Sequence, residues 1–271
     1  MQQQRENLAE IGVFGGSGFY SLLENRIEQA VNTPYGHPSD RIAIGEIAGR
    51  KVAFMPRHGI GHRVPAHRVN YRANVWAMWH LGVDRILGPC AAGSLQPNIK
   101  PGAFVFCDQF VDRTSSRLDT FYDGPVSIHI SSADPYCPDL RKLGIAESRA
   151  LGIPTHERGT VVVIQGPRFS TRAESRWFSS AGWEVINMTQ YPEAILAREL
   201  EMCYLNVSLI TDYDAGLEGD PDVPPVSVEE VIQVFNENNE RLKELIYRIV
   251  PQIPLERDCP CATALSGAVI G

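Results

Sequence analysis

Two acidic residues stand two positions apart where an apolar segment ends. Residues 204–210 predict a buried strand, and Thr211-Asp-Tyr-Asp214 follows directly. Such a pair could bind a metal, act as an acid and a base, or read the amino groups of a nucleobase. A solvated acidic turn is an equal alternative, because further acids follow in the loop, namely Glu218, Asp220 and Asp222.

One stretch of the chain carries cations without any acid, although the protein as a whole is acidic. The formal net charge is −7, yet residues 48–82 contain no Asp or Glu. Within this stretch, Arg57-His58-Gly59 follows a strand predicted at residues 51–55, a common position for ligand contacts in α/β folds. The stretch predicts a local field for an anion, with a solvated basic face as the alternative. Its other cationic candidates are Lys51, His62, Arg63, His67, Arg68 and Arg72.

Histidines and cysteines could suggest a metal, but their spacing argues against one. Glycines and a proline lie between His58, His62 and His67, so no helix aligns them, and neither Cys nor carboxylate lies nearby to complete a ligand set. The six cysteines are too few for a disulfide framework and too scattered for a zinc module. We therefore expect no metal site and mostly reduced thiols.

Small residues follow two predicted strands and could cradle an anion. Residues 11–18 run from a strand into the turn Gly15-Gly-Ser-Gly18, which has neither the dinucleotide spacing nor a Walker lysine. Residues 88–95 predict a second small-residue turn, which includes Cys90. Thr189 precedes a helix predicted to begin at Pro192, where its hydroxyl could cap the helix or bind an anion.

The elements that must position these residues alternate along the chain. Apolar β-branched runs alternate with helical patterns, which favours one α/β domain with helices flanking a sheet. The spacings Thr171-x-x-Glu174 and Ser227-x-x-Glu230 predict capping boxes. Helices are expected at residues 69–80, 139–151, 171–180, 192–201 and 227–250, and residues 254–271 as an irregular tail. Strands are expected at residues 11–14, 41–47, 51–55, 85–90, 104–107, 160–164, 185–187 and 204–211.

Composition excludes several classes of protein. Of the 271 residues, 44% are hydrophobic and 21% charged, a balance that argues against disorder. No apolar window reaches 18 residues, and the first ten residues lack the pattern of a secretory signal. The negative net charge argues against nucleic acid as a partner. We expect a cytoplasmic protein that binds neither membranes nor nucleic acid.

Nine motifs occur in an order that is specific as a set. Together they resemble the trimeric purine nucleoside phosphorylase family, and most closely its members that use 5′-methylthioadenosine. The resemblance covers residues 10–254 and leaves 1–9 and 255–271 as terminal extensions. It implies a single domain whose mixed, partly barrel-like central sheet is flanked by helices. The motifs are Gly15-Gly-Ser-Gly18, Arg57-His58-Gly59, Val69-Asn-Tyr71, Ala92-Gly-Ser-Leu95, Phe121-Tyr-Asp-Gly124, Gly166-Pro-Arg-Phe-Ser170, Arg172-Ala-Glu-Ser175, Asn187-Met-Thr189 and Thr211-Asp-Tyr-Asp214.

The resemblance implies reversible phosphorolysis. Inorganic phosphate attacks the anomeric carbon of a purine nucleoside and releases the free base, so phosphate is a co-substrate and no cofactor is implied. A phosphate dianion needs several convergent donors, and a guanidinium supplies two at once. The residues expected to hold phosphate are Ser17, Arg57, His58, Cys90, Ala91 and Thr189.

The resemblance also assigns the nucleoside side of the site. Phe169 would pack on the purine face beside Ser170, and Met188 would lie under the ribose. Asp212 would protonate purine N7 or hold a proton on it, which requires its pKa to be raised by a dry pocket and by Asp214. Asp214 would accept from the exocyclic amine of adenine.

The 5′ end of the nucleoside is expected among apolar groups at the last helix. By position, His62, Val228, Val231 and Ile232 match that pocket. His129 matches a residue that comes from the neighbouring subunit in the family. The resemblance therefore implies a homotrimer or a dimer of trimers, with active sites at the subunit interfaces.

The acidic pair bears on the choice of substrate. A carboxylate accepts from the 6-amino group of adenine and would oppose a 6-carbonyl, and members that use 6-oxopurines carry Asn at the position of Asp212. Methylthioadenosine is therefore the expected substrate, and its cleavage yields adenine and 5-methylthioribose 1-phosphate. The alternatives are a phosphorylase for 6-oxopurine nucleosides or methylthioinosine, and a non-catalytic nucleoside-binding protein on the same fold.

Three departures from the family pattern qualify these expectations. Cys90 replaces a hydroxyl donor, which could leave one phosphate contact to the backbone. The loop at residues 215–225 is longer than in many relatives and lacks their Trp, so adenosine could be accepted as well. Cys259-Pro-Cys261 resembles a Cys-x-Cys of some archaeal relatives. It could be redox-active or a plain tail, and we favour a plain tail without a role.

Overall fold

A computed structural model describes residues 5–15, 22–217, 219, 221, 223 and 228–270 of the chain. Within that part, five α-helices pack around strands that form an eleven-stranded sheet and a separate two-stranded sheet. The helices are α1 (Tyr71–His80), α2 (Pro138–Ala150), α3 (Arg172–Ser180), α4 (Gln190–Glu199) and α5 (Val228–Ile249). The strands are β1 (Ile11–Gly15), β2 (Glu24–Gln29), β3 (Ile42–Ile47), β4 (Arg50–Pro56), β5 (Arg85–Ser94), β6 (Phe104–Val105), β7 (Gln109–Arg113), β8 (Ser127–Ile128), β9 (Thr155–His156), β10 (Thr160–Ile164), β11 (Val185–Asn187), β12 (Cys203–Tyr213) and β13 (Val269–Ile270).

The large sheet is mixed and branches at β5. One path through it has the order β2-β3-β4-β1-β5-β11-β10-β7, and β12 pairs with β5 outside this path. Strands β4, β5 and β12 all run parallel to β1 or to its neighbour, so their carboxyl ends lie at one edge. That edge is where an α/β sheet commonly binds its ligand.

Two apolar layers cover the faces of the sheet. On one side, Trp76 and Met78 of α1 pack with Leu196 of α4 against inward residues of the sheet. On the other side, Leu140 of α2 packs with Leu245 of α5. Alternate residues of each strand point to opposite faces, so both layers draw on the same strands. No helix within the described residues is long and apolar enough to cross a membrane.

The local helix signals in the sequence are confirmed where the structure describes them. All five predicted helices form, with bounds that differ by one or two residues. Thr171 caps α3, and Glu174 completes the capping box by accepting from the Thr171 backbone. Ser227 of the second predicted box lies outside the described residues.

The prediction of a small-residue turn at residues 88–95 is wrong. Arg85–Ser94 is one continuous strand, because β12 pairs with it along its whole length. The small residues there allow close packing and do not mark a turn. Gly88 faces Tyr204 so tightly that a Cβ would lie 1.9 Å from the tyrosine Oη.

Several short or polar elements have no counterpart among the predictions. Strand β2 is exposed and polar, and β8, β9 and β13 have two residues each, too few for any periodicity to register. Residues 104–107 were expected as a strand, of which only Phe104–Val105 forms. The tail at residues 254–271 was expected to be irregular, but part of it is packed and paired. Cys259 and Cys261 lie in the core, and β13 pairs with β8.

Gly88→Ala should destabilise the fold strongly, because its methyl group would displace Tyr204 from a fully buried position. We expect a loss of about 3 kcal/mol or more in unfolding free energy, measured by chemical denaturation. Gly152→Ala is the control: its φ is +71° and nothing lies within 4 Å of a Cβ, so it should cost only about 1 kcal/mol of backbone strain. Equal losses in the two variants would contradict the packing argument.

Candidate active site

A cavity of about 1280 Å³ opens at the carboxyl ends of β4, β5 and β12. Most residues predicted for the site line it, although they come from distant parts of the chain. The sheet brings them together, because they lie in the carboxyl halves of its strands or in the segments that follow the strand ends. These residues are Arg57, His58, His62, Cys90, Ala91, Phe169, Ser170, Met188, Thr189, Asp212 and Asp214.

The Arg57 guanidinium is buried and fixed by a two-point ion pair with Glu193. Its Nε donates to Glu193 Oε2 at 2.7 Å and its Nη2 to Oε1 at 2.8 Å, while Nη1 donates to the Pro89 carbonyl at 3.0 Å. A guanidinium has five N–H groups. Three of them donate to these described residues, so two remain for a ligand. Burial alone would lower the pKa of Arg57, but the Glu193 carboxylate raises it, and the cation stays charged.

Glu193 is a functional candidate that sequence reasoning missed. It is fully buried, and the Tyr204 hydroxyl donates to its Oε1. Gln190 in turn donates to the Gly88 carbonyl at 3.1 Å and to the Tyr204 oxygen at 3.4 Å. In the sequence Glu193 is indistinguishable from an ordinary acid in the first turn of a helix. Its role becomes visible only in the structure, where the fold brings it into contact with Arg57, 136 positions away in the sequence.

The ring of His58 is held in one tautomer. Its Nδ1 lies 2.8 Å from the Val64 carbonyl, which can only accept, so Nδ1 carries the hydrogen. Burial and then the charge of Arg57 lower the pKa of His58 to about 4. At neutral pH the ring is therefore uncharged and Nε2 has a free lone pair, which can accept the P–OH hydrogen of a monohydrogen phosphate. His62 stacks on this ring, with centroids 4.2 Å apart.

The Thr189 hydroxyl is left available because another side chain caps the helix. Thr189 is the N-cap residue of α4 but makes no side-chain capping bond to the described residues. Instead, Asn187 Oδ1 accepts from the backbone N–H groups of Thr189 and Gln190, at 3.3 and 3.4 Å. Of the two roles that the sequence allowed for Thr189, the geometry favours contact with a ligand in the cavity.

Although Cys90 lines the cavity, its sulfur makes hydrogen bonds with neighbouring side chains of the protein. Asn187 Nδ2 donates to its sulfur at 3.0 Å, and Asn206 Nδ2 approaches it at 3.6 Å. Burial raises the pKa of the Cys90 thiol, so the group stays protonated at neutral pH. Neither observation makes Cys90 a strong donor to phosphate. The neighbouring Ala91 is exposed in the cavity and brings its backbone there.

Asp212 is placed by an irregularity in β12. The register with β5 shifts between Ile210 and Asp212, so Thr211 is an extra residue, a β-bulge. The Thr211 hydroxyl lies 2.6 Å from Asp212 Oδ2 and 3.4 Å from the Ala92 carbonyl. It can donate to the ionised carboxylate, or accept from the protonated acid while donating to Ala92. Both protonation states of Asp212 are therefore satisfied.

The pKa of Asp212 is shifted in the direction that the sequence argument required. Burial raises the pKa of this carboxyl, the Thr211 hydrogen bond opposes the shift, and the charge of Asp214 adds to it. Burial raises the pKa of Asp212 more than the charge of Asp214 does. Gly93 keeps the space open, because a Cβ there would lie 3.2 Å from Asp212 Oδ1.

Asp214 is held as an acceptor. The Ser170 hydroxyl donates to its Oδ2 at 2.6 Å, and its backbone N–H donates to the Ser94 carbonyl at 2.9 Å. The other carboxylate oxygen remains for a ligand. Asp212 and Asp214 are thus a half-buried and a buried group at one wall of the cavity, and the alternative of a solvated acidic turn is wrong.

Apolar groups complete the nucleoside side of the cavity. Met188 lies against Gly166, where a Cβ would come within 2.6 Å of its sulfur. The Tyr71 hydroxyl, which donates to the Ala66 carbonyl at 2.9 Å, lies 3.4 Å from the Met188 carbonyl. Phe169 is 79% exposed at the mouth of the cavity. An aromatic ring that is this exposed is available to stack on a planar ligand.

The expected 5′ pocket is placed only in part. His62 lines the cavity together with Phe235 of α5, which sequence reasoning did not name. Ile232 is 56% exposed and is not among the lining residues. His129 also lies outside the lining, and its backbone N–H donates to the Ala268 carbonyl. Ser17 and the side chains of Val228 and Val231 lie outside the described residues.

Comparisons with known proteins agree with this geometry. The model of the phosphorylase superfamily matches residues 10–251. This chain belongs to the phosphorylase superfamily. A Thermofilum pendens protein named S-methyl-5′-thioadenosine phosphorylase is 53% identical over 263 residues, covering 96% of this chain and 98% of that one. A Streptomyces coelicolor protein named purine nucleoside phosphorylase is 51% identical over 269 residues, covering 96% and 95%.

A solved structure extends the agreement to three dimensions. The methylthioadenosine phosphorylase from an antarctic soil metagenomic library matches this phosphorylase with a TM-score of 0.92 at 39% identity, covering 98% of this chain and 93% of that one. The expected fold, a mixed sheet flanked by helices in the nucleoside phosphorylase arrangement, is confirmed. The two sequence relatives carry different substrate names, so the base pocket must decide between them.

Glu193→Gln should lower kcat without a matching rise in the phosphate KM. The amide loses the two-point ion pair, so Arg57 is misplaced although its charge still attracts the anion. We expect kcat to fall about 100-fold, as misplaced groups commonly cause. The measurement is steady-state kinetics with varied phosphate.

Glu199→Gln is the matched control on the same helix. Glu199 is also buried and accepts from Thr120 and Phe121, which do not line the cavity. Both variants should lose stability, but only Glu193→Gln should lose kcat. A phosphate KM that rises as much as kcat falls would show that Glu193 has no orienting role.

Proposed function

We propose that this phosphorylase cleaves 5′-methylthioadenosine with inorganic phosphate, yielding adenine and 5-methylthioribose 1-phosphate. The observation that carries the proposal is the pair Asp212 and Asp214 in the same cavity as donors suited to phosphate. The reaction is a reversible pentosyl transfer. It requires no cofactor, because phosphate is the nucleophile and the protein supplies the acid.

In this proposal, phosphate is held by an uncharged histidine, by hydroxyl groups and by Arg57, whose charge is balanced by Glu193. Arg57 donates its two remaining N–H groups, and the Thr189 hydroxyl donates beside them. His58 accepts the P–OH hydrogen through its bare Nε2, which orients the dianion. Ser17 and the turn around it are the remaining donors in the proposal. Aligned this way, a phosphate oxygen can approach the anomeric carbon from the face opposite the base.

Asp212 assists departure of the base. As the C–N bond breaks, electrons move into the purine and its N7 becomes more basic. A protonated Asp212 donates to N7, and the raised pKa of this carboxyl increases the protonated fraction at a given pH. Thr211 then donates to the carboxylate that remains. Asp214 accepts from the exocyclic amine and so selects adenine over a 6-oxopurine.

The Streptomyces coelicolor relative supports a second candidate, a phosphorylase with another purine nucleoside as substrate. The base pocket disfavours 6-oxopurines, since the Asp214 carboxylate would face a carbonyl oxygen in place of an amine. Adenosine remains compatible with the base pocket. Its discrimination from methylthioadenosine depends on the 5′ pocket, where Phe235 and His62 stand at the cavity wall.

Assembly completes the proposed site. His129 lies outside the cavity of its own chain, as expected for a residue that serves a neighbouring subunit. We place it in the 5′ pocket of the adjacent protomer of a trimer or a dimer of trimers. A monomeric form should then be poorly active.

The first experiment is release of adenine from methylthioadenosine with and without phosphate, beside adenosine and inosine. We expect release that depends strictly on phosphate and favours methylthioadenosine. Preferred turnover of inosine would overturn the account of the base pocket but keep the family chemistry. Nucleoside binding without turnover under any condition would indicate a non-catalytic binding protein.

Asp212→Asn should lower kcat/KM for methylthioadenosine by about 100- to 10,000-fold, because the variant has no proton to transfer to N7. It should also narrow the preference for adenine over hypoxanthine nucleosides, since the amide can donate to a 6-carbonyl. In the unaltered protein, activity should fall as pH rises through the pKa of Asp212, and this decline should vanish in the variant.

Ser170→Ala serves as the matched control for that variant. It removes the donor to Asp214 but leaves the acid at Asp212 in place. We expect a higher KM with the alkaline decline of activity retained. An alkaline decline that persists in Asp212→Asn would assign the acid to another group.

A further inference from the structure

Four of the six cysteines meet at one buried place in the structure, although the sequence scatters them. The sulfurs of Cys137, Cys203, Cys259 and Cys261 all lie within 4.8 Å of one another. We call these four residues the cysteine quartet. Its members are at most 7% exposed. The quartet lies among residues of the core layer formed by α2 and α5.

We propose that the cysteine quartet binds one Zn²⁺ ion as a structural tetrathiolate site that fastens the C-terminal segment to the sheet. Zn–S bonds of about 2.3 Å place the four sulfurs of a tetrahedron about 3.8 Å apart. All four sulfurs already lie within 4.8 Å of one another, and those of Cys203 and Cys259 are 3.3 Å apart. Changes of about 1 Å or less in these distances would bring the quartet to the tetrahedral spacing.

Deprotonated together, the four thiols would carry a negative charge that no cationic side chain among their hydrogen-bonding partners in the described part of the chain balances. A divalent cation meets that need, and a soft one prefers sulfur ligands. Two disulfides would also use four cysteines, and the mass measurement below distinguishes them from a metal.

The binding step is a simple exchange of protons for metal. Four S–H bonds break, four Zn–S bonds form, and four protons pass to solvent, with no change of oxidation state. Because protons compete with the metal, affinity should fall steeply on acidification. The site would join three separate segments of chain, at the start of α2, the start of β12 and the Cys259-Pro-Cys261 segment.

The test is the metal content of the full chain, purified without chelators and measured by mass spectrometry of the elements. We expect about one zinc per chain, released by acid. Exchange for Co²⁺ should give the visible absorption of a tetrahedral thiolate complex. Cys261→Ser should lose the metal and lower the melting temperature by roughly 5 °C or more. Cys107→Ser, a buried cysteine outside the quartet, should keep its zinc.

Two results would overturn the proposal without any variant having to fold. Absence of zinc, with a protein mass short of two hydrogens per bond until reduction, would identify disulfides. Absence of zinc after incubation with Zn²⁺, with all thiols titratable on unfolding, would identify plain buried cysteines. Neither result bears on phosphorolysis, because the activity assay with methylthioadenosine is independent of both.

Discussion

The buried ion pair between Arg57 and Glu193 is the constraint around which the active end of the sheet is organised. It ties the exit of β4 to the first turn of α4 across β5, whose Pro89 carbonyl takes a third hydrogen bond. Tyr204 of β12 donates to the same carboxylate, and Gly88 has no side chain so that the tyrosine fits. Breaking such a pair leaves a buried charge and costs about 3–5 kcal/mol. The position of Arg57, a proposed phosphate donor, therefore depends on residues that have no contact with phosphate in the proposal.

This arrangement also determines how an anion can bind in a cavity that contains two acids. Glu193 cancels most of the field of Arg57, and His58 is neutral, so direction of donors matters more than net charge. A bound phosphate adds negative charge near Asp212 and favours its protonated form further. In the proposed reaction, binding of phosphate and protonation of Asp212 are thus coupled through electrostatics.

The sequence was informative where chemistry and structure are local. The acidic pair, the strand exit at Arg57 and the capped start of α3 each lie within a few residues, so their patterns are legible in one chain. The role of Glu193 could not be predicted from the sequence, since its partner Arg57 is 136 positions away. The small residues of β5 were misinterpreted as a turn, because nothing local shows that β12 lies against them.

The cysteines illustrate the same limit, since their spacing argued against a metal while the fold gathers four of them. Strand β12 separates the two sites in space as well as in role. Cys203 begins it and Asp212 lies near its end, nine residues on, a span of about 30 Å. A metal at the quartet is too far from the cavity to polarise a substrate, so its effect must pass through stability. If both proposals hold, the metal anchors the start of the strand that carries the proposed acid, where it adds rigidity without disturbing the pKa of Asp212.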